Sequence, residues 1–260
     1  MIRSKQVWAF PPGSIAVLGC GPALALLAAV APAQGVGAQA VERCDRAAAL
    51  APDDPRARHT LGVCYLLGEG RLTDHARALE LFESASREGV REAAFSHAAA
   101  LLFKVRQAQR FPEAAQALTD LANEGYGPAH FPLALAHIAA LGVDESPDRG
   151  VAELSLAARE AHDEVAAWVL AVVYRYGLLG QAMDETLAWQ YISRYVANLK
   201  RQYPQLRFSA VRLREGARTL HHDRLLRLYV FTDAQLELFH ALAEEVSERA
   251  DLETLRRSWN

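Results

Sequence analysis

The 260-residue chain is 51% hydrophobic and 23% charged with a net charge of −3, which excludes a disordered or collagen-like polymer and leaves room for one or two domains with a real core. Ala and Leu dominate the apolar fraction and head the helix-propensity ranking, so the composition predicts an all-α protein. The isoelectric point of about 6.3 lies below the range, above about 9, that marks nucleic-acid-binding domains, and no nucleic-acid partner is expected.

In chain order the first predicted element is a leader. Arg3 and Lys5 form a short basic start, Ile15 to Val30 is an uncharged apolar run, and Ala38-Gln39-Ala40 is a small-x-small site. This pattern predicts a signal peptide over residues 1–40, cleaved after Ala40, and places the mature chain in the periplasm or outside the cell. A retained anchor is the weaker reading, because Gly19, Gly21 and Pro22 interrupt a run already short of the roughly 20 apolar residues a span needs. Val17-Leu18-Gly19-Cys20 also has the form of a lipobox that would lipidate Cys20, although the better apolar stretch follows the cysteine rather than preceding it. Cleavage leaves Cys44 and Cys64, which can bridge in an oxidising compartment or stand as two buried thiols.

The remainder repeats itself. The clearest unit is Ala57 to Gly70, then Asp74, then Ala78 to Ala85 and Gly89: helix, glycine loop, helix, glycine stop. The phrasing returns from Ala93 to Gly125, again from Ala129 through Gly142 to Ala158, and a fourth time from Ala166 to Val196. The closing glycines Gly89 and Gly125 lie 36 positions apart. Each such pair has too much apolar surface to bury alone, so neighbouring pairs are expected to stack.

Leu61-Gly62-x-x-Tyr65-x-x-Gly68-x-Gly70, Asp74 before Ala78-Leu79, and Ala85 to Gly89 resemble the Sel-one-like repeats, a branch of the tetratricopeptide superfamily with a period of about 36 residues. Leu170-Ala171-x-x-Tyr174-x-x-Gly177 is the next best match, and Val41 to Leu50 resembles a preceding half-repeat. The resemblance implies a right-handed α-α superhelix of about four repeats over 41–198, followed by a helical cap over 199–260. Copies two and three depart from the pattern: Lys104 and Arg106 stand at loop-glycine positions, and Ala161 replaces the closing glycine, so distorted loops are expected there.

Catalytic signatures are missing from the sequence: no His-Glu-x-x-His helix, Gly-x-Ser-x-Gly elbow, phosphate loop or Cys-x-x-Cys pair occurs. Some cysteine-rich relatives of this repeat family are linked to penicillin binding, but the mature chain has no Ser-x-x-Lys and at most one disulfide. Neither cofactor nor metal is expected: adjacent His221 and His222 point about 100° apart on a helix with no further ligand at i+4 spacing, and these histidines and the pair His130 and His137 read as partly exposed polar residues on helix faces.

Two columns of matched positions carry the binding hypothesis. Two residues before each Leu-Gly signature stand His59, Phe95, Phe131 and Trp168; six residues after the signature leucine stand Leu67, Phe103, Ala139 and Tyr176. In related folds such positions line a concave groove, so His59, Phe95, Phe103, Phe131, Trp168 and Tyr176 are expected to hold a protein or peptide segment, with inter-helix packing as the alternative. Lys200 to Arg227 carries eight basic residues against Glu215 and Asp223. Arg207, Arg212, Arg214, Arg218 and Arg224 form a candidate basic patch for an acidic partner, or pair with the acidic helix behind the Thr232-Asp233-Ala234-Gln235 capping box. The expected role is a non-catalytic interaction scaffold. The alternatives are a penicillin-binding or hydrolytic protein and a structural envelope protein whose groove its own tail helix fills.

Overall fold

A computed structural model describes residues 33–204, 210–221, 226 and 230–248. Cys20 and all but the last eight residues of the expected leader lie outside these described residues, as do Arg207, His222 and Arg224. Eleven α-helices occur among the described residues: α1 (Ala33–Leu50), α2 (Pro55–Leu67), α3 (His75–Arg87), α4 (Arg91–Ala99), α5 (Phe111–Asn123), α6 (His130–Ile138), α7 (Pro147–Arg159), α8 (Glu164–Tyr176), α9 (Glu185–Gln202), α10 (Ala210–His221) and α11 (Asp233–Glu248). No strand occurs among them.

Local signals set the helix starts. Asp74, Asp163 and Asp184 each accept a hydrogen bond from the backbone N–H three residues on, at 2.8–3.0 Å, and Asp54 and Ser146 cap helices whose first residue is proline. At α11 the Gln235 N–H donates to Thr232 Oγ1 while the Gln235 side chain accepts from the Thr232 N–H, which is the predicted capping box.

Helices α2–α3, α4–α5, α6–α7 and α8–α9 form four stacked pairs, joined through α3 to α4, α5 to α6 and α7 to α8. The crossing inside the first pair explains its signature glycine: a Cβ on Gly62 would lie 2.6 Å from Phe82 Cε1. The matched positions read Ala98 with Leu118 and Ala134 with Leu154, so a slightly larger residue on the first helix accompanies a smaller partner on the second. One apolar core runs from Leu66 through the repeats to Leu236, Phe239 and Val246 of α11. A separate small cluster of Ala47, Ala51 and Leu61 sits under α1.

The loops correct the expectation of distortion in part. Gly68 and Gly70 both have left-handed backbone, and so do Ala140 with Gly142 and Gly177 with Leu179 at the matched places. The third copy thus keeps the loop of the first with alanine at one of its two left-handed positions. Copy two does differ: α4 continues as a π-helical segment over Ala100–Val105, takes in Lys104, and ends only at left-handed Arg106 (φ 53°). The closing position of copy three is His162 (φ 56°) rather than Ala161, 37 residues after Gly125, so that copy is one residue longer than the sequence pattern suggests.

Beyond the repeats, α9 runs to Gln202, through the expected boundary at 198–199, and is 18 residues long where α3, α5 and α7 have 13. Helix α10 approaches α9 so closely that a Cβ on Gly216 would meet Tyr195 Oη at 2.7 Å. Helix α11 packs on α10 and reaches back onto α8. At the other end α1 runs continuously through Ala40.

Candidate functional site

The first predicted column faces the interior. His59, Phe95, Phe131 and Trp168 are all buried. The His59 ring lies 5.6 Å from Phe82, and its Nε2 is 2.9 Å from Ser96 Oγ on the following repeat. Burial lowers the His59 pKa, so the ring is neutral at physiological pH. Phe95 packs on Tyr126 at 5.6 Å and Trp168 on Tyr195 at 5.0 Å. The packing alternative therefore describes this column, and the groove expectation is corrected for these four residues: a ring sealed between helices offers no area to a partner.

The second column lies at the C-terminal ends of the first helices and is more open. Leu67, Ala139 and Tyr176 are half-buried against the core, whereas Phe103 is buried within the π-helical segment. Only Tyr176 among the six predicted groove residues keeps an accessible ring. The Arg175 guanidinium stands 5.5 Å from that ring while making a bidentate pair with Glu245 of α11 at 3.0–3.2 Å. Tyr65, one turn before the loop of copy one, carries two cations over its ring, Arg71 at 5.3 Å and Arg77 at 5.7 Å. Tyr174 stacks parallel on Tyr191 at 5.7 Å.

Exposed apolar side chains sit on the loops instead. Leu72 is 89% exposed in the α2–α3 loop and Met183 is 73% exposed in the matching α8–α9 loop. With Tyr65 and Tyr176 they place apolar and cation-bearing rings along one edge of the array, where the first helices end. Sequence reading missed Leu72 and Met183 because a lone apolar residue in a polar loop has no periodicity to reveal it.

Of the proposed basic patch, Arg212 lies in α10 but its side chain is outside the described residues, and Arg218 is exposed. Arg214 Nε lies 2.8 Å from Glu244 Oε1, pairing α10 with α11. Cys44 and Cys64 are disulfide-bonded, with Cα atoms 6.1 Å apart. Among the described residues no three His, Cys, Asp or Glu side chains converge on a metal position. His130 and His137 are both buried in α6, and His130 Nδ1 pairs with Glu153 at 2.7 Å.

A buried polar cluster was not foreseen. The longer α9 carries Asn198 and Tyr203 back over the α7–α8 turn, where the Asn198 amide donates to the carbonyls of Ala158 (3.0 Å) and Asp163 (3.2 Å). Glu164, at the first turn of α8, is thereby buried with Tyr195 and Tyr203. Loss of water and the neighbouring Asp163 charge raise the Glu164 pKa to about 8. Burial, then the Glu164 charge, push Tyr203 up to about 12 and raise Tyr195 as well.

No known protein family and no curated protein matches the chain by sequence. Solved structures do match. A Sel1 repeat protein from Oxalobacter formigenes superposes with a TM-score of 0.54 at 20% identity, over 60% of this chain and 62% of that one. A protective antigen present in uropathogenic Escherichia coli strains, displaying an SLR fold, aligns over 81% of this chain and 44% of its own length at 18% identity and a TM-score of 0.49. The matched region thus spans about three fifths of the first structure and under half of the second. Four stacked helix pairs at a period of 36 to 37 residues, left-handed backbone at the same loop positions and the superposition on the first structure lead to one conclusion: the chain has the all-α Sel1-like repeat fold.

Proposed function

We propose that the protein is an exported, non-catalytic scaffold whose repeat array binds a protein or peptide partner along the edge formed by its α2–α3 and α8–α9 loops. The observation that carries this reading is the exposure of Leu72 and Met183 in matching loops of the first and fourth copies, whose first helices end near the cation-bearing rings of Tyr65 and Tyr176. Apolar side chains that protrude beside cation-capped rings supply the anchors of a binding surface. Export is supported by the leader-like sequence of residues 1–40 and by the Cys44–Cys64 bond, which suits an oxidising compartment. No helix among the described residues is long and apolar enough to cross a membrane.

The test is a pull-down from an envelope fraction with the chain beginning at Val41, comparing wild type with Leu72→Ser, Tyr176→Ala, Met183→Ser combined. All three side chains are exposed or half-buried, so helicity should be unchanged while partners are lost. Recovery of the same partners by both forms would reject the loop edge as the binding surface.

A second reading is favoured by the seat of α11 on α8 through Arg175 and Glu245: a structural protein whose C-terminal helix fills its own binding face. In that case the wild type captures nothing until Glu245→Arg together with Leu242→Asp, which removes an apolar anchor of the helix, unseats α11.

A further inference from the structure

Beside its disulfide, helix α1 is held to the array by small apolar side chains, by rim ion pairs and by the close approach of its Val41 backbone to Gly70. Among its described side chains only Cys44 and Ala47 are buried, joined by Ala51 just past its end, and the small apolar cluster they enter holds Leu61 with half-buried Tyr65 and Leu81 at its edge. Val41 and Leu50, apolar side chains of α1, are 43% and 52% exposed. The polar ties are exposed pairs, Arg43 with Glu69 and Asp45 with Arg71 at 3.0 Å, plus a hydrogen bond from Arg71 to the Cys44 carbonyl at 3.1 Å. Exposed pairs of this kind contribute little. Methyl groups of alanines bury too little apolar surface to offset the entropy of ordering a helix. Every other helix pair has large apolar side chains in its seam, such as Phe82, Leu118 and Leu154.

We infer that the Cys44–Cys64 bond is a redox latch. It fixes α1 as the N-terminal cap of the solenoid, so that a dithiol reductant releases α1 and bares the face of α2 at Leu61, while α3–α9 stay folded. End caps are what keep a solenoid from exposing its terminal seam. Closing the latch oxidises the two thiols: one thiolate attacks an acceptor disulfide, the other displaces the acceptor from the mixed disulfide, and the two thiol protons and two electrons end on the acceptor, which leaves as a dithiol. Opening runs the same exchange backwards with a dithiol donor. The inference goes beyond the scaffold reading and does not require a partner. If that reading's cleavage site holds, Cys44 is the fourth residue of the mature chain, and the latch ties down its N-terminus.

Hydrogen exchange on the full chain tests this, comparing oxidised protein, protein reduced with dithiothreitol, and the Cys44→Ala, Cys64→Ala double variant. The expected result is a rise of at least about 100-fold in exchange at residues 42–50 on reduction and in the double variant, with α8 amides changing less than about threefold. Three outcomes overturn it: unchanged protection of 42–50 after reduction, a rise that spreads equally to α8, or alkylation of both thiols in the oxidised protein.

Discussion

Glu164→Gln should stabilise the protein at neutral and alkaline pH and do nearly nothing in acid. Glu164 is 8% exposed, has Asp163, Tyr195 and Tyr203 around it, and its carboxyl is pushed up to about 8 in the fold against 4.5 when unfolded. Because the folded pKa is raised, the neutral form belongs to the folded state. The stability this group permits is complete below pH 4.5 and is lost as pH rises through 8, at up to about 1.4 kcal/mol per pH unit. From pH 5 to pH 7.5 the loss comes to about 3 kcal/mol, a large share of the 5–15 kcal/mol typical of a domain. Gln keeps the shape and carries no charge, so the variant should escape the loss. Urea unfolding of both proteins at pH 5 and 7.5, followed by helix ellipticity, gives the two stability differences. A gap between variant and wild type that widens by about 3 kcal/mol supports the buried carboxyl; a gap independent of pH refutes it.

Three further substitutions probe the repeats and the cap. Gly62→Ala gains about 1 kcal/mol of helix propensity but drives a methyl against the buried Phe82 ring, an overpacking of about 1–3 kcal/mol, so thermal unfolding should show net destabilisation that Phe82→Leu in the same chain relieves. Gly142→Ala combines left-handed backbone with a Cβ 2.2 Å from the Phe111 carbonyl, whereas Gly125→Ala meets nothing within 4 Å; the first should cost at least about 2 kcal/mol more than the second in denaturant titrations. A double-mutant cycle of Arg175→Ala and Glu245→Ala should return a coupling of about 1 kcal/mol, since the pair is bidentate yet partly solvated, and a coupling of zero would show that α11 is seated by apolar contact alone.

The helix pairs were legible because apolar spacing, Asp caps and glycine stops all act within a few residues of one another. The ring column at His59, Phe95, Phe131 and Trp168 was legible as a column but not as a surface. A helix position that faces a groove and one that faces the next repeat share the same spacing, and only the stacking of neighbours separates them. Glu164 reads in sequence as an ordinary acidic residue in a first helical turn, suited to the positive end of the helix dipole. It is buried because α9 is longer than α3, α5 or α7, a tertiary fact with no local signal. Arg175 and Glu245 are 70 residues apart, and nothing short of the path of the chain brings them together.

Loop backbone also explains how the repeat survives where its signature fades. The second loop position is left-handed in all four copies, at Gly70, Arg106, Gly142 and Leu179, although only two of these are glycine. A side chain in that conformation costs about 1–2 kcal/mol. Each copy can meet that cost from its own buried seam, because one large side chain such as Leu118 or Leu154 contributes about 1.5–3 kcal/mol when fully buried. Glycine is compulsory only where space as well as backbone demands it: at Gly142, against the Phe111 backbone, and at Gly70, against Val41. At the matched Arg106 and Leu179 the left-handed turn is kept although the residue is no longer glycine. A solenoid of this kind therefore conserves backbone conformation more tightly than residue identity, and the glycine pattern that makes copy one easy to read is the least required part of copies two and four.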